Sequence, residues 1–334
     1  MSITLSFEAV TVHSDVLDTI RPDDLEQYRR ELTGYCYRML GSGFEAEDAV
    51  QETMVRAWRH LGDFEGRSSV RSWLYRIATN VCLDLLRGRQ RRARPMELGP
   101  SAHTATAVLN TLPEHAWVSP IPDARVLPED GDPAELAAAR ESIRLAFVAA
   151  LQHLPARQRA VLILREVLRW QATEVAELLE TTVASVNSAL QRARATLATC
   201  DLDGIRFDQV GAEQQELLAK YVDAFERYDI DRLVTLLHDD AVMSMPPYDL
   251  WLKGSAEVIQ WLVGPGAPCR GSRLLATAGN GSAAFGQYRV DPKGGHEPWA
   301  LQIIELSGDR IVGFHNFLDP KLFTAFGLPA HLDA

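Results

Sequence analysis

Between Pro95 and Pro133 the chain drops every periodic apolar pattern and fills with proline, acids and short polar residues. A stretch of this kind cannot bury much of its own surface and reads as a linker. It constrains the fold more than any other feature, because it cuts the helical sequence around it into two blocks. Trp117-Val118-Ser119-Pro120 stands out inside it. A lone tryptophan there marks a docking point or packs locally, and the residues leave both readings open. With 334 residues the chain is expected to hold two or three domains. The expected boundaries are a tail at 1–24, helical blocks at 25–94 and 135–200 around a linker at 95–134, and a further domain at 205–330.

Charge separates these parts. The chain carries a net −11, yet residues 62–94 hold eight arginines against three acids. This is the one clearly basic segment. Within it Val70, Trp73, Leu74, Ile77, Ala78, Val81, Cys82, Leu85 and Leu86 make one apolar helical stripe. Arg76, Asn80, Asp84 and Arg87 share another side, followed by Arg89, Arg91, Arg92 and Arg94. The segment suits a nucleic-acid strand, or is a core helix with a solvated basic end. No run of eighteen apolar residues and no basic leader with an apolar core is present, so neither a membrane span nor a secretory signal is expected, and a cytoplasmic protein is. Cys36, Cys82, Cys200 and Cys269 lie far apart without a CxxC. That argues against a zinc site or disulfide framework, and neither metal nor cofactor is expected.

In the first block, helices are expected over Leu25–Leu40, closed by Gly41, and over Ala46–Leu61, with Asp48, Gln51 and Glu52 together on the polar side. In the second, Leu136–Leu151 and Gln158–Leu168 read as helices. Ala172–Leu179 and Val183–Ala198 then form a helix-turn-helix outline with Thr182 as N-cap. Val183, Val186, Leu190, Ala193 and Leu197 are expected to face in. Ser185, Asn187, Ser188, Gln191 and Arg192 stay outside, as a major-groove recognition helix needs. After residue 211 come three amphipathic helices, then alternation at 273–277, 283–290, 299–306 and 311–318. Turn signals at Asn280-Gly281 and Ser307–Arg310 complete an α+β domain with an antiparallel curved sheet.

Several motifs in order carry a resemblance. Through YRML, AEDAVQETMVRAWR and WLYRIATNVCLDLLR, residues 25–94 resemble region 2 of an extracytoplasmic-function (group IV, sigma-70 family) sigma factor of RNA polymerase. Through LPARQRAVLILREV, ATEVAELL and SVNSALQRARATL, the second block resembles its helix-turn-helix region 4. The resemblance implies two all-α DNA-facing modules, with core RNA polymerase and promoter DNA as partners. Asp48, Gln51, Glu52 and Arg56 would bind the beta-prime clamp, while region 4 would meet the beta flap. Phe64, Arg67, Ser68, Trp73, Arg76, Asn80 and Arg87 would hold and open the −10 element, with Trp73 equally readable as core. Arg89, Arg91, Arg92 and Arg94 would touch phosphates. Thr182, Ser185, Asn187, Ser188, Gln191 and Arg192 would read the −35 element. Arg169 and Glu180 stand where such factors commonly have glycine, so a left-handed backbone there would be strained.

The last domain is similar to the cone-shaped SnoaL-like (nuclear transport factor 2-like) fold, through its helix order, its curved-sheet pattern and EVIQWLV. Some such sigma factors carry this extension as a built-in regulator. Asp319-Pro320-Lys321-Leu322 is similar to, but reordered from, an Asn-Pro-Asp-Lys-Leu motif of one subgroup. An intramolecular contact with the sigma regions is expected, and a pocket for an unknown small ligand could be lined by Asp239, Asp240, Tyr248, Trp251, His296, Trp299 and His315. A satisfied core histidine outweighs a catalytic one at His315, and the chain is read as no enzyme. Two alternatives stay open: a helix-turn-helix regulator acting without polymerase, and a fused small-molecule isomerase or cyclase.

Overall fold

The computed structural model describes residues 21, 23–64, 66, 68–200 and 212–333. Most of the expected N-terminal tail, Arg67 and the joint near 202–211 lie outside the described residues. The first block is built on three long helices, α1 (Arg29–Leu40), α2 (Gly43–Arg59) and α3 (Val70–Leu86), preceded by one helical turn at Asp23–Glu26. Gly41 ends α1 in a left-handed conformation (φ 72°), and the Ser42 and Ser69 side chains cap α2 and α3. Their stripes meet in one core around Leu32, Tyr35, Met39, Val50, Leu74 and Val81.

The second block contains α4 (Pro133–Glu141), α5 (Leu145–Leu151), α6 (Ala156–Leu162), α7 (Ala172–Leu178) and α8 (Val183–Leu197). One wide turn over Ile163–Val167 extends α6. The continuous helix expected over Leu136–Leu151 is broken at residues 142–144, which releases two carbonyls for tertiary contacts. Arg38 donates to Ser142 O at 3.1 Å, and the Asn280 amide donates to Ile143 O at 2.7 Å. Arg169 and Glu180 do adopt left-handed backbone, at φ 60° and 52°.

The C-terminal domain begins with α9 (Ala212–Glu226) and α10 (Ile230–Leu236). It continues as β1 (Leu237–Ser244), β2 (Trp251–Lys253), α11 (Ser255–Val263), β3 (Arg273–Gly279), β4 (Ser282–Val290), β5 (His296–Ser307) and β6 (Arg310–Phe317), and a short α12 (Lys321–Ala325) follows. The sheet order is β2-β1-β6-β5-β4-β3. Strands β1 and β2 escaped the sequence reading, since His238-Asp239-Asp240 interrupts one alternation and the other strand has three residues. Because β1 pairs with β6 in parallel, the sheet is mixed rather than antiparallel throughout. One face closes on α9, α10 and α11 around Tyr221, Leu236, Trp261, Phe285 and Phe314. On the other face Ala284, Leu301, Ile303 and Phe317 join the core of the helical blocks.

Most of the linker is exposed, as a stretch poor in apolar pattern should be, but part of it is anchored. Trp117, Val118, Ile121, Val126 and Leu127 are all buried, with Ile121 at 0% exposure. Residues 93 and 117 form a bridge, as do 111 with 248 and 122 with 279. The segment has no core of its own; it fills grooves that the other three parts provide, and those are invisible in its composition. Trp117 does both things expected of it: Nε1 donates to Leu112 O nearby, while its backbone docks against Ala93 and Arg92 at the end of the first block.

Candidate nucleic-acid interface

On α2, Asp48, Gln51 and Glu52 are exposed, and Glu52 holds Arg56 at 2.7 Å. The Phe64 ring lies 5.0 Å from that of Trp73, so the aromatic pair is in place at the start of α3. Ser68, Trp73 and Arg76 are half-buried, while Asn80 and Arg87 are exposed. The side of α3 that carries Arg76 is partly covered by the second block. Arg76 Nη2 donates to Glu177 O at 3.4 Å, and the Trp170 ring sits 5.0 Å from Tyr75. Arg71 lies over both rings, at 5.2 and 5.3 Å, and grips Glu31 through two nitrogens.

The arginines beyond α3 fall into two groups. Arg87, Arg89 and Arg91 are exposed, although Arg89 meets Glu45 at 2.6 Å and Arg91 meets His153. Arg92 is buried. It reaches Glu45 at 2.8 Å and donates to Glu114 O and Trp117 O, so here it ties the linker down and is not placed for a phosphate. Arg94 lies 3.4 Å from Glu97 and is mostly covered, again unlike the expected phosphate contact.

Helix α8 presents its polar residues outward. Thr182 accepts from Ser185 N at 3.1 Å, and Thr182, Ser185, Asn187, Ser188, Gln191 and Arg192 are all exposed. Val183, expected to face in, is 39% exposed, because the first turn of α8 projects beyond the core.

The tip of the β3–β4 hairpin joins everything. Asn280, read from sequence only as a turn residue, is fully buried at φ 55°. Its amide donates to Tyr37 Oη at 2.6 Å in the first block and to Ile143 O in the second. Its Oδ1 accepts from Ile121 N at 3.0 Å in the linker. Next to it, Gly281 N donates to Asp123 Oδ1 at 2.8 Å. A Cβ on Gly281 would come within 2.7 Å of Arg140 O, so only glycine fits this approach. Burial raises the Asp123 carboxyl to about 6. Asn-Gly was legible as a turn, but nothing in the sequence tells what the turn inserts into.

The cone encloses a cavity of about 60 Å³. Its wall holds Trp299 but none of Asp239, Tyr248, Trp251 or His315, and among the lining residues there is no Asp, Glu, His, Lys or Arg. The polar part is a satisfied chain, Tyr221 Oη to Gln302, Gln302 to Gln287 and Gln287 to Ser272. Asp239 and Asp240 are exposed. Tyr248 and Trp251 hold the linker instead, the latter through Nε1 to Gly99 O at 2.9 Å. His296 lies against Gly271 O. His315 is buried on the opposite face, 2.8 Å from Ser244 Oγ and 3.1 Å from Glu305 Oε2. It is a partnered interior histidine. Gly313 makes room there, since a Cβ would sit 2.8 Å from the Glu305 carboxylate.

Two helical modules with an exposed recognition helix and a basic aromatic helix, plus a fused cone, define a two-part promoter reader with an extension. The chain matches Sigma-70 region 2 over residues 25–92, Sigma-70 region 4 over 144–197 and a SnoaL-like domain over 218–314. It belongs to the ECF sigma factors of RNA polymerase, which bind the polymerase and direct it to promoters. It is 46% identical over 314 residues to the ECF RNA polymerase sigma factor SigG of Mycobacterium tuberculosis, covering 92% of this chain and 83% of that protein. To SigJ of the same organism it is 27% identical over 316 residues, covering 90% and 92%. The crystal structure of Mycobacterium tuberculosis SigJ has the same fold, with a TM-score of 0.59 at 22% identity over 92% of this chain and all of that one. No helix among the described residues is long and apolar enough to cross a membrane.

Proposed function

We propose that this is the closed form of a cytoplasmic sigma factor, in which the C-terminal domain restrains the two DNA-reading modules until polymerase separates them. The observation that carries the reading is Asn280, whose one buried side chain binds the first block, the linker and the second block together. A buried amide with all its partners fixed is costly to withdraw, because each partner left unpaired costs about 1–3 kcal/mol. Geometry supports closure. The −10 and −35 elements lie about 25 base pairs apart, roughly 85 Å of duplex at 3.4 Å per step. Here α3 and α7 touch through Arg76 and Glu177, so α8 cannot reach one element while α3 holds the other.

In the open state the exposed Asp48, Gln51 and Glu52, with the half-buried Arg56, meet the beta-prime clamp, and the second block meets the beta flap. Phe64, Arg67, Ser68, Trp73, Arg76 and Asn80 then take the opened −10 strand, while α8 reads the −35 duplex. Arg87, Arg89 and Arg91 are the phosphate contacts of the arginine tail. The domain after residue 205 acts by binding: the cone wall is mostly apolar, its Tyr221 hydroxyl is spent on Gln302, and no carboxylate, imidazole or amine lies among its lining residues.

Asn280→Ala is the test. It removes three side-chain bonds, one to each sigma module and one to the linker. Transcription from a cognate promoter with core polymerase is expected to rise, together with faster amide exchange around Tyr37 and Ile143. Exchange and transcription both equal to the parent would overturn the restraint. Faster exchange with lower transcription would make the contact an activating one.

A further inference from the structure

Where the end of α3, the linker and the start of α6 meet, the protein encloses a cavity of about 220 Å³. Four arginines line it, Arg89, Arg91, Arg92 and Arg159, with His115. Glu45 is the one carboxylate in its wall, and a single oxygen of it, Oε1, serves both Arg89 and Arg92. Arg159 is 5% exposed and has no carboxylate partner among the described residues. Its terminal nitrogens donate to the carbonyls of Met39, Gln152 and Leu154 and to Gln152 Oε1, but its buried Nε donates to nothing. Burial lowers the Arg159 pKa to about 10. Arg91 is pressed against the His153 ring, whose pKa is lowered by burial and by that guanidinium. In a chain of net charge −11, so many cations around one carboxylate need a reason.

We propose that this cavity binds a small phosphate-bearing anion, which bridges Arg89 and Arg91 at the end of the first block to Arg159 in the second. Guanidinium groups take phosphate oxygens in charge-assisted pairs, and enclosure strengthens each pair by excluding water. Occupancy holds the two modules together and occupies two arginines that the promoter backbone needs, so the anion opposes DNA binding. This consequence rests on the closed reading given above; the binding does not, and it is measured without polymerase or promoter.

The probe is pyrophosphate, titrated into the full chain by calorimetry at ionic strength held constant with sodium chloride. Saturable binding is expected, with a rise of about 3 °C in unfolding midpoint at tenfold excess over Kd. Arg89→Gln and Arg91→Gln, both at exposed positions, are each expected to weaken binding roughly tenfold. No saturable heat up to about 10 mM pyrophosphate overturns the site. So does binding that survives in the double variant, because the anion is then elsewhere. A promoter-free duplex is the second arm: if it binds through these arginines while pyrophosphate does not, the cavity is only part of the DNA track. If pyrophosphate binds but Asn280→Ala leaves transcription unchanged, the site stands and the restraint falls.

Discussion

Helices α3 and α8 are the two helices proposed to face DNA, and the protein treats them differently. Helix α8 leaves its whole reading side, from Thr182 to Arg192, in solvent. Helix α3 has part of its polar side covered, with Trp170 beside Tyr75 and Glu177 O against Arg76. The difference teaches where closure acts. A −35 reader can stay exposed without harm, since duplex binding by one short helix is weak. On the roles proposed, a strand-opening surface gives up its action when covered, so covering α3 alone would be enough.

The strongest way to break the contrast is Trp170→Ala. Trp170 is 6% exposed and stacked with Arg71 and Tyr75, so truncation should cost about 3 kcal/mol in urea unfolding. Affinity of the full chain for a single-stranded −10 oligonucleotide should rise, while binding of a −35 duplex stays as it was. Equal changes for both ligands would show that α3 and α8 are not separately controlled.

A milder probe is pH. Burial lifts the Asp123 carboxyl from 3.8 to about 6 although Gly281 N donates to it and Arg140 and Arg144 lie near. The docked hairpin therefore holds that proton more tightly than an undocked one. Its contribution is complete below the ordinary carboxyl value and is lost as pH rises through about 6. Docking should be about tenfold more favourable at pH 5 than at pH 7.5, followed as protection of the Ile143 amide region. Asp123→Asn, which resembles the protonated form, should flatten that dependence. A parent curve without slope between those values would remove Asp123 as a contributor.

The smallest expected effect concerns how α8 is presented. Arg169→Gly and Glu180→Gly relieve left-handed non-glycine backbone at φ 60° and 52°, and each should raise the unfolding free energy by about 0.5–1 kcal/mol. A loss in either variant would mean that the side chain contributes more than the strain costs.

Much of this was legible in the chain. The apolar stripes of α1, α2, α3 and α8, the Ser and Thr caps and the Asn-Gly turn all have local causes. So does the shift from a period of 3.6 to one of 2 after residue 263. The basic segment and the motif order pointed to the family without any structure. A residue's surroundings are not legible where its partner lies far along the chain. Arg92 and Arg94 read as exposed because arginines in a polar run usually are, yet a distant linker folds over them. His315 read as a pocket candidate, and strand parity alone could not say which face of the sheet was which.

The sequence by itself determined the kinds of element, most of their order and the family, because periodicity, capping and charge act within a few positions. Tertiary structure alone decided that the linker is anchored at Trp117–Ile121 and Val126–Leu127, that the cone wall holds no carboxylate, imidazole or cationic side chain, and that Asn280 fastens three segments. Each of these depends on what a side chain meets across more than a hundred residues, as Asn280 meets Tyr37 and Ile143. Such pairings follow from the packing of whole modules, where burying a polar group requires a partner that only the folded chain can supply.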